Sequence, residues 1–176
     1  MKPIFSLFFF LPLVLFSQSN WQQKADYSMN VTVDVKTFKF SGDQEIVYTN
    51  NSPDTIRKVY YHLYFNAFKP GSQMDVRSLN ISDPDRRVKD RISKLKKNEE
   101  GDLSVFELKQ DGKPIVFEKQ ETVLLARLNK ALLPGKKTKL SLVFNGVVPK
   151  QIRRSGRNNK DGVALSMTQW FPKLAE

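Results

Sequence analysis

Apolar and polar residues alternate along most of the chain with the period of a β-strand. From Met29 to Val35, the residues Met29, Val31, Val33 and Val35 alternate with Asn30, Thr32 and Asp34, which marks a strand with one buried face. Phe38 and Phe40 alternate in turn with polar neighbours, Gly42-Asp43 reads as the turn, and Glu45-Ile46-Val47-Tyr48-Thr49 reads as the antiparallel return. Asn50-Asn51-Ser52-Pro53-Asp54 is a dense cluster of turn formers. Arg57 to Phe65 follows, with Val59, Tyr61, Leu63 and Phe65 on one face and Tyr60, His62 and Tyr64 on the other. Two apolar or aromatic faces predict a strand covered on both sides, or one whose outer face meets another domain.

One segment carries a helical period instead. Ser82-Asp83-Pro84-Asp85 combines a cap, an early proline and first-turn acid. Val88, Ile92 and Leu95 then recur at helical spacing as a narrow apolar stripe, and Gly101 ends it. Strand patterns resume at Leu103–Leu108, turn at Asp111-Gly112, and return over Ile115–Glu118. Thr122–Leu128 joins Thr138–Phe144 through Leu133-Pro134-Gly135-Lys136, whose Pro-Gly pair suits a type II turn. The pattern predicts a mainly β fold: an antiparallel sandwich or strongly curved sheet with one short amphipathic helix at about 83–99.

The two ends depart from this pattern. Lys2 precedes an apolar run from Ile4 to Phe16, and Ser17-Gln18-Ser19 offers a small-residue exit. That run is shorter than the roughly 20 residues a membrane-spanning helix needs, so residues 1–19 read as a secretory signal peptide. No later stretch is apolar enough to span a membrane, and the mature protein is expected to be exported. Residues 20–176 then form one domain. At the other end, Pro149–Asn159 is basic and irregular, and Val163–Pro172 turns apolar and aromatic. An apolar segment at a terminus needs a cover, which predicts an exposed patch around Trp170, Phe171 and Leu174 and a chain cut short at a domain boundary.

Composition narrows the chemistry. The 176 residues include no cysteine and one histidine, His62, which excludes a disulfide framework, a thiolate zinc site and a two-histidine zinc site. His62 reads as a packed structural residue. There is no HExxH pair, GxSxG elbow or phosphate-cradling glycine loop. Asp43 with Glu45, and Glu99 with Glu100, are acidic pairs in turn-like, solvated contexts, and no catalytic role is assigned to them. The net charge of +11 is spread over three places: Arg86 to Lys97, Lys130 to Lys139, and Lys150 to Lys160. Nucleic-acid proteins gather such charge on one face, so nucleic acid is disfavoured and binding to an anionic surface ranks third among the functional readings. Asn30-Val31-Thr32, Asn50-Asn51-Ser52 and Asn80-Ile81-Ser82 match the N-glycosylation pattern.

Ordered strings add a resemblance. Phe40–Thr55, then Val59–Phe68, Leu133-Pro134-Gly135, Val148-Pro149 with Arg154 and Gly156, and Ser166-Met167-Thr168-Gln169-Trp170-Phe171-Pro172 occur in this order. Together they resemble the amino-terminal β domain of the aminopeptidase N-like zinc metallopeptidases, from about Tyr27 to Glu176. The resemblance implies a saddle-shaped β structure packed on a separate catalytic domain that carries HExxH, the zinc ion and a GxMEN loop. Neither motif is present, so the chain is expected to be inactive alone, with no catalytic residue and no metal ligand of its own. The resemblance also implies that Gln169 lines the pocket for the substrate's first side chain; an acidic residue found two positions later in some relatives is Phe171 here. The expected partners are the missing catalytic domain and, in the whole protein, a peptide substrate. The alternative reading is a stand-alone secreted β-sandwich that binds a peptide, a glycan or a protein.

Overall fold

Two antiparallel sheets account for the alternating pattern. The structure, a computed structural model, describes residues 21–81, 88–150 and 152–175; the expected signal peptide lies outside them. In chain order the strands are β1 (Lys24–Asp34), β2 (Lys39–Thr49), β3 (Ile56–His62), β4 (Asp102–Gln110), β5 (Lys113–Pro114), β6 (Phe117–Gln120), β7 (Val123–Leu132), β8 (Lys137–Val147), β9 (Gly156–Arg157), β10 (Leu165–Ser166) and β11 (Lys173–Leu174). One sheet has the order β1-β2-β8-β4-β5 and the other β11-β3-β7-β6, while β9 and β10 form a small separate hairpin. One apolar core lies between the sheets, from Ile46, Leu140 and Phe144 on one side to Tyr61, Leu124 and Leu174 on the other. The expected β-sandwich is therefore present.

Several local expectations change. Gly42-Asp43 is not a turn but the middle of β2; the chain reverses at Val35–Phe38. There the Asp34 carboxylate accepts from the Lys36 and Thr37 N–H groups and from the Thr37 hydroxyl. Gly42 is required because a side chain there would run into the Asn30 carbonyl of the paired strand. Val31 and Val33 near the end of β1, and Val35 in the turn beyond it, all expected in the core, are 37%, 40% and 58% exposed. On the outer face of β3 Tyr60 is exposed, and His62 and, just beyond the strand, Tyr64 are half-buried, while Val59 and Tyr61 are buried. Of the two expectations for this strand, cover on both sides within the chain is the one that fails.

The helix also moves. Residues 82–87 lie outside the described residues, and Val88 to Glu99 forms turns and two short 3-10 segments, Ile92–Lys94 and Lys97–Glu99, rather than the helix expected at 83–99. Lys89 has a φ of 40°, a left-handed conformation that no α-helix continues through. Val88 and Ile92 are nonetheless fully buried, so the stripe located core residues without specifying their geometry. The helix α1 is Gln73–Asn80. Ser72 caps it by accepting from the Asp75 N–H at 3.2 Å, which satisfies one of the N–H groups that helix starts leave unpaired, and the Asp75 carboxylate reaches back to accept from the Gly71 N–H at 2.9 Å.

Three crossings between sheets replace the expected local reversals. Leu133–Lys136 does form the turn, closed by Lys136 N–H to the Leu133 carbonyl at 3.1 Å, but it delivers β7 of one sheet into β8 of the other. Ile115–Glu118 does not return alongside β4 as a unit. Lys113 and Pro114 pair with β4, Ile115 buries at the bend, and Phe117 onward pairs with β7. The third crossing runs from β2 to β3 through the Asn50–Asp54 cluster.

Buried amides hold these crossings. Asn50, with no exposed surface, donates from Nδ2 to the Asp54 carbonyl at 2.7 Å and to the Leu132 carbonyl of β7 at 3.0 Å. Its Oδ1 accepts from the Ser52 N–H and hydroxyl and from Gln23, and its backbone bonds Gly135 and Lys136. Gln110 at the end of β4 brackets Lys130 of β7, and Asn66 beyond β3 brackets Leu103 of β4. Gln44 is the contrast, since its buried amide has no partner among the described residues.

Removing Asn50 strands several buried carbonyls and N–H groups, so Asn50→Ala is expected to cost about 2–4 kcal/mol in chemical denaturation. Gln44→Met removes an unpaired amide at similar volume and is expected to stabilise by about 1 kcal/mol. Equal losses from the two would contradict this division. A second prediction concerns pH. Burial, and next the neighbouring Tyr27, push the Tyr61 hydroxyl far above the usual phenol range. The fold favours the neutral phenol, so its contribution is complete below the unfolded value of about 10 and falls by about 1.4 kcal/mol per pH unit above it. Tyr61→Phe is expected to flatten the decline between pH 10 and 11 in equilibrium unfolding; an unchanged slope would refute the assignment.

Candidate functional site

Beyond β8 the chain leaves the sheets and returns, and that return builds a cleft. Ile152, fully buried, exchanges backbone hydrogen bonds with Ser155 at 2.8 and 3.0 Å. This pins a tight loop that presents Arg153, itself at a φ of 51°, and Arg154. The β9–β10 hairpin follows, its tip closed by Asn159 accepting from the Asp161 and Val163 N–H groups. The chain then runs back along the arginine loop. Thr168 N–H donates to the Ser155 hydroxyl at 3.3 Å, and the Thr168 and Ser166 hydroxyls both donate to the Arg154 carbonyl.

Gln169 stands next in this returning segment, in a turn beyond β10, exposed, with a left-handed φ of 54°. The following residues explain the constraint. Trp170 packs edge-on against Phe40 with ring centres 5.6 Å apart and also contacts Phe144. Phe171 meets Tyr27, and the Leu174 N–H donates to the Tyr27 hydroxyl at 2.9 Å. Pro172 and Leu174 are buried, and β11 joins β3. The exposed patch expected at Trp170, Phe171 and Leu174 is therefore absent: these residues close the core of the sandwich itself.

The resulting cleft is about 480 Å³ in volume. Tyr64, Phe68 and Met74, from the 3-10 turn after β3 and from α1, form an apolar wall; Arg153, Arg154 and Gln169 form the polar one. A smaller cleft of about 390 Å³ is lined by the same arginine loop together with Asn159 and Val163. Among the described residues, no carboxylate lines either cleft. The Gln169 amide makes no hydrogen bond among the described residues, which leaves a donor and an acceptor at the cleft mouth.

The other sequence candidates do not gather here. His62 lies in β3, stacked on Tyr64 with ring centres 5.0 Å apart. Asp43 and Glu45 lie within β2, where Asp43 accepts from Asn30 and Glu45 pairs with Lys139. Glu99 pairs with Lys150, and that contact, more than any other, holds its carboxyl below the usual range. Asn50 of the second glycosylation match is buried in the sheet corner. Among the described residues no three His, Cys, Asp or Glu side chains come together as metal ligands, so these residues do not fit a zinc ion. The cleft offers hydrogen bonding, positive charge and apolar contact, which is equipment for binding. Sequence reasoning had placed Gln169 but not Arg153, Arg154, Tyr64 or Met74 beside it. The paired arginines read as solvated charge because nothing local shows which loop they will face.

A scan against protein-family models gives no match, and a search of curated proteins gives none. Among solved structures, the chain is similar to a mutant M1 zinc metallopeptidase from Deinococcus radiodurans bound to a Tyr-Ser-Ala substrate, at 13% identity with a TM-score of 0.50. That alignment covers 82% of this chain and 26% of the other. The M1 zinc metallopeptidase from the same organism aligns over the same shares at 14% identity and a TM-score of 0.48. The first likeness shows a shared fold. This chain spans about a quarter of the length of the structures it matches.

The left-handed backbone at Gln169 suits glycine better than glutamine. Gln169→Gly is expected to leave stability unchanged or raise it by up to about 1 kcal/mol, as read by thermal and denaturant unfolding. A clear loss would mean that the side chain supports the fold rather than facing the cleft.

Proposed function

We propose that this chain is the amino-terminal, non-catalytic β domain of an exported zinc aminopeptidase, where it walls one side of the substrate cleft and packs on the zinc-binding domain. The observation that carries the reading is a fold shared over most of this chain with only the corresponding quarter of an M1 zinc metallopeptidase. The ordered strings, the last of which is Ser166–Pro172 and contains Thr168-Gln169, support it independently. In this reading the Gln169 amide hydrogen-bonds the peptide near its first residue without adding charge. Arg153 and Arg154 give that wall a positive rim. In this reading the zinc ion, its ligands and the general base belong to the catalytic domain; among the described residues here, no three His, Cys, Asp or Glu side chains gather as ligands. Export rests on the apolar run from Ile4 to Phe16 and its small-residue exit.

The coding sequence beyond Glu176 provides the first test. An in-frame HExxH with a downstream glutamate supports the proposal, and a stop codon at that point overturns it in favour of a secreted binding module. In the longer protein, Gln169→Ala is expected to raise KM about tenfold with little change in kcat, since about 1.4 kcal/mol of binding is lost. This chain alone is expected to release no amino acid from a peptide even with zinc added. Zinc-dependent turnover by it would contradict the assignment.

A further inference from the structure

The two sheets have four edges, and one of them is unlike the rest. The edge strands β5 and β11 have two residues each, β5 including Pro114, and β6 has four residues with Glu118 and Lys119 in its middle. Short strands, proline and central charge are the usual protections against edge-to-edge pairing. The fourth edge, β1, has eleven residues in unbroken register with β2 from Lys24 to Asp34, with no bulge and no proline. Its charged residues are confined to Lys24, Asp26 and Asp34.

The free side of β1 is also self-complementary. The Asn30 carbonyl lies against Gly42 of β2. In an antiparallel ladder this turns the peptide groups of the even-numbered residues toward β2 and those of Ala25, Tyr27, Met29, Val31 and Val33 outward. We propose that β1 is a homodimer interface, in which two copies pair β1 against β1 about a two-fold axis through Met29. In that register Met29 faces Met29, Tyr27 faces Val31 and Ala25 faces Val33. These are the residues with outward hydrogen-bonding groups, and their side chains share one face. The same register sets Lys24 of each copy opposite Asp34 of the other, an attractive pair repeated twice by the symmetry. A shift by one residue would pair outward groups with inward ones.

The present partners of these charges leave them available. Lys24 pairs with Asp26 across solvent, with both side chains more than half exposed, and such contacts contribute little. Asp34 is held in place by the Thr37 hydroxyl and by the Lys36 and Thr37 N–H groups. Pairing would join two five-stranded sheets into one and extend the apolar face formed by Val31 and Val33 across the junction. This interface is separate from the cleft at Gln169 and does not depend on the aminopeptidase reading.

The absence of cysteine makes a position-specific test possible. Met29→Cys is expected to form a disulfide-linked dimer on mild oxidation, because residues paired at such a symmetric site have Cα atoms about 5.5 Å apart, within disulfide range. Val33→Cys, at a more exposed position, is expected to form none, since its own counterpart lies far along the strand. The unmodified chain should sediment as a dimer at micromolar concentration. Lys24→Glu, which places acid opposite Asp34, should weaken dimerisation about tenfold, whereas Lys119→Glu, the same charge change on β6, should not. A monomer at 100 µM, or cross-linking at Val33 as efficient as at Met29, overturns the proposal.

Discussion

A two-sheet fold whose chain passes repeatedly between sheets must satisfy the backbone groups exposed at each corner, and here that demand falls on buried side-chain amides. At a corner the ladder stops, yet the peptide groups remain in the interior, where an unpaired one costs about 1–3 kcal/mol. Asn50 meets the demand at two corners together, because the β2–β3 and β7–β8 connections meet at its side chain and its backbone. Gln110 and Asn66 do the same between β4 and β7 and between the β3 exit and β4. Each amide offers both a donor and an acceptor, so it replaces a short piece of ladder between strands that belong to different sheets. A hydrophobic residue at any of these positions could fill the volume but not the hydrogen bonds.

The candidate site depends on the same frame. Asn66 fixes the 3-10 turn from which Tyr64 reaches the cleft, and Ser72 ties the start of α1 to the Ala67 carbonyl at 2.7 Å. On the other wall, Ile152 anchors the arginine loop in the core, while Trp170 and Leu174 anchor the chain just beyond Gln169. Gln169 thus sits between two fixed points, and its left-handed backbone follows from that confinement. Residues held this way face a ligand without first having to be ordered, which lowers the entropic cost of binding.

Much of the fold was legible in the sequence because most strands carry a period of two, and the buried Val59 and Tyr61 of β3 follow it, although the strand expected to run to Phe65 ends at His62 and Phe65 is buried from a 3-10 turn. What the sequence could not show was which sheet each strand joins. Leu133-Pro134-Gly135-Lys136 has the composition of a hairpin turn and makes that turn, yet its two flanking strands do not pair with each other. Gly42 looked like a turn residue, since glycine serves turns and close backbone approaches alike. The stripe Val88, Ile92, Leu95 has helical spacing, but the left-handed Lys89 interrupts it, and a short stripe is equally served by buried turns. For the site, Gln169 was legible only through ordered resemblance. Its arginine and aromatic neighbours converge from segments nearly a hundred residues apart along the chain, a proximity that no local pattern encodes.

If buried amides join the sheets, the backbone groups they hold should be as protected as the strand ladders. Native-state hydrogen exchange reports this directly for three N–H groups: Leu103 bonded to the Asn66 side chain, Lys130 bonded to that of Gln110, and Ser52 bonded to that of Asn50. Lys130 is the most telling, because the residue is solvent-exposed and its protection would have to come from the Gln110 side chain. The account predicts that all three exchange only through global unfolding, at the rates of β2 and β8 amides. Exchange at the rates of surface loops, with the strands still protected, would contradict it.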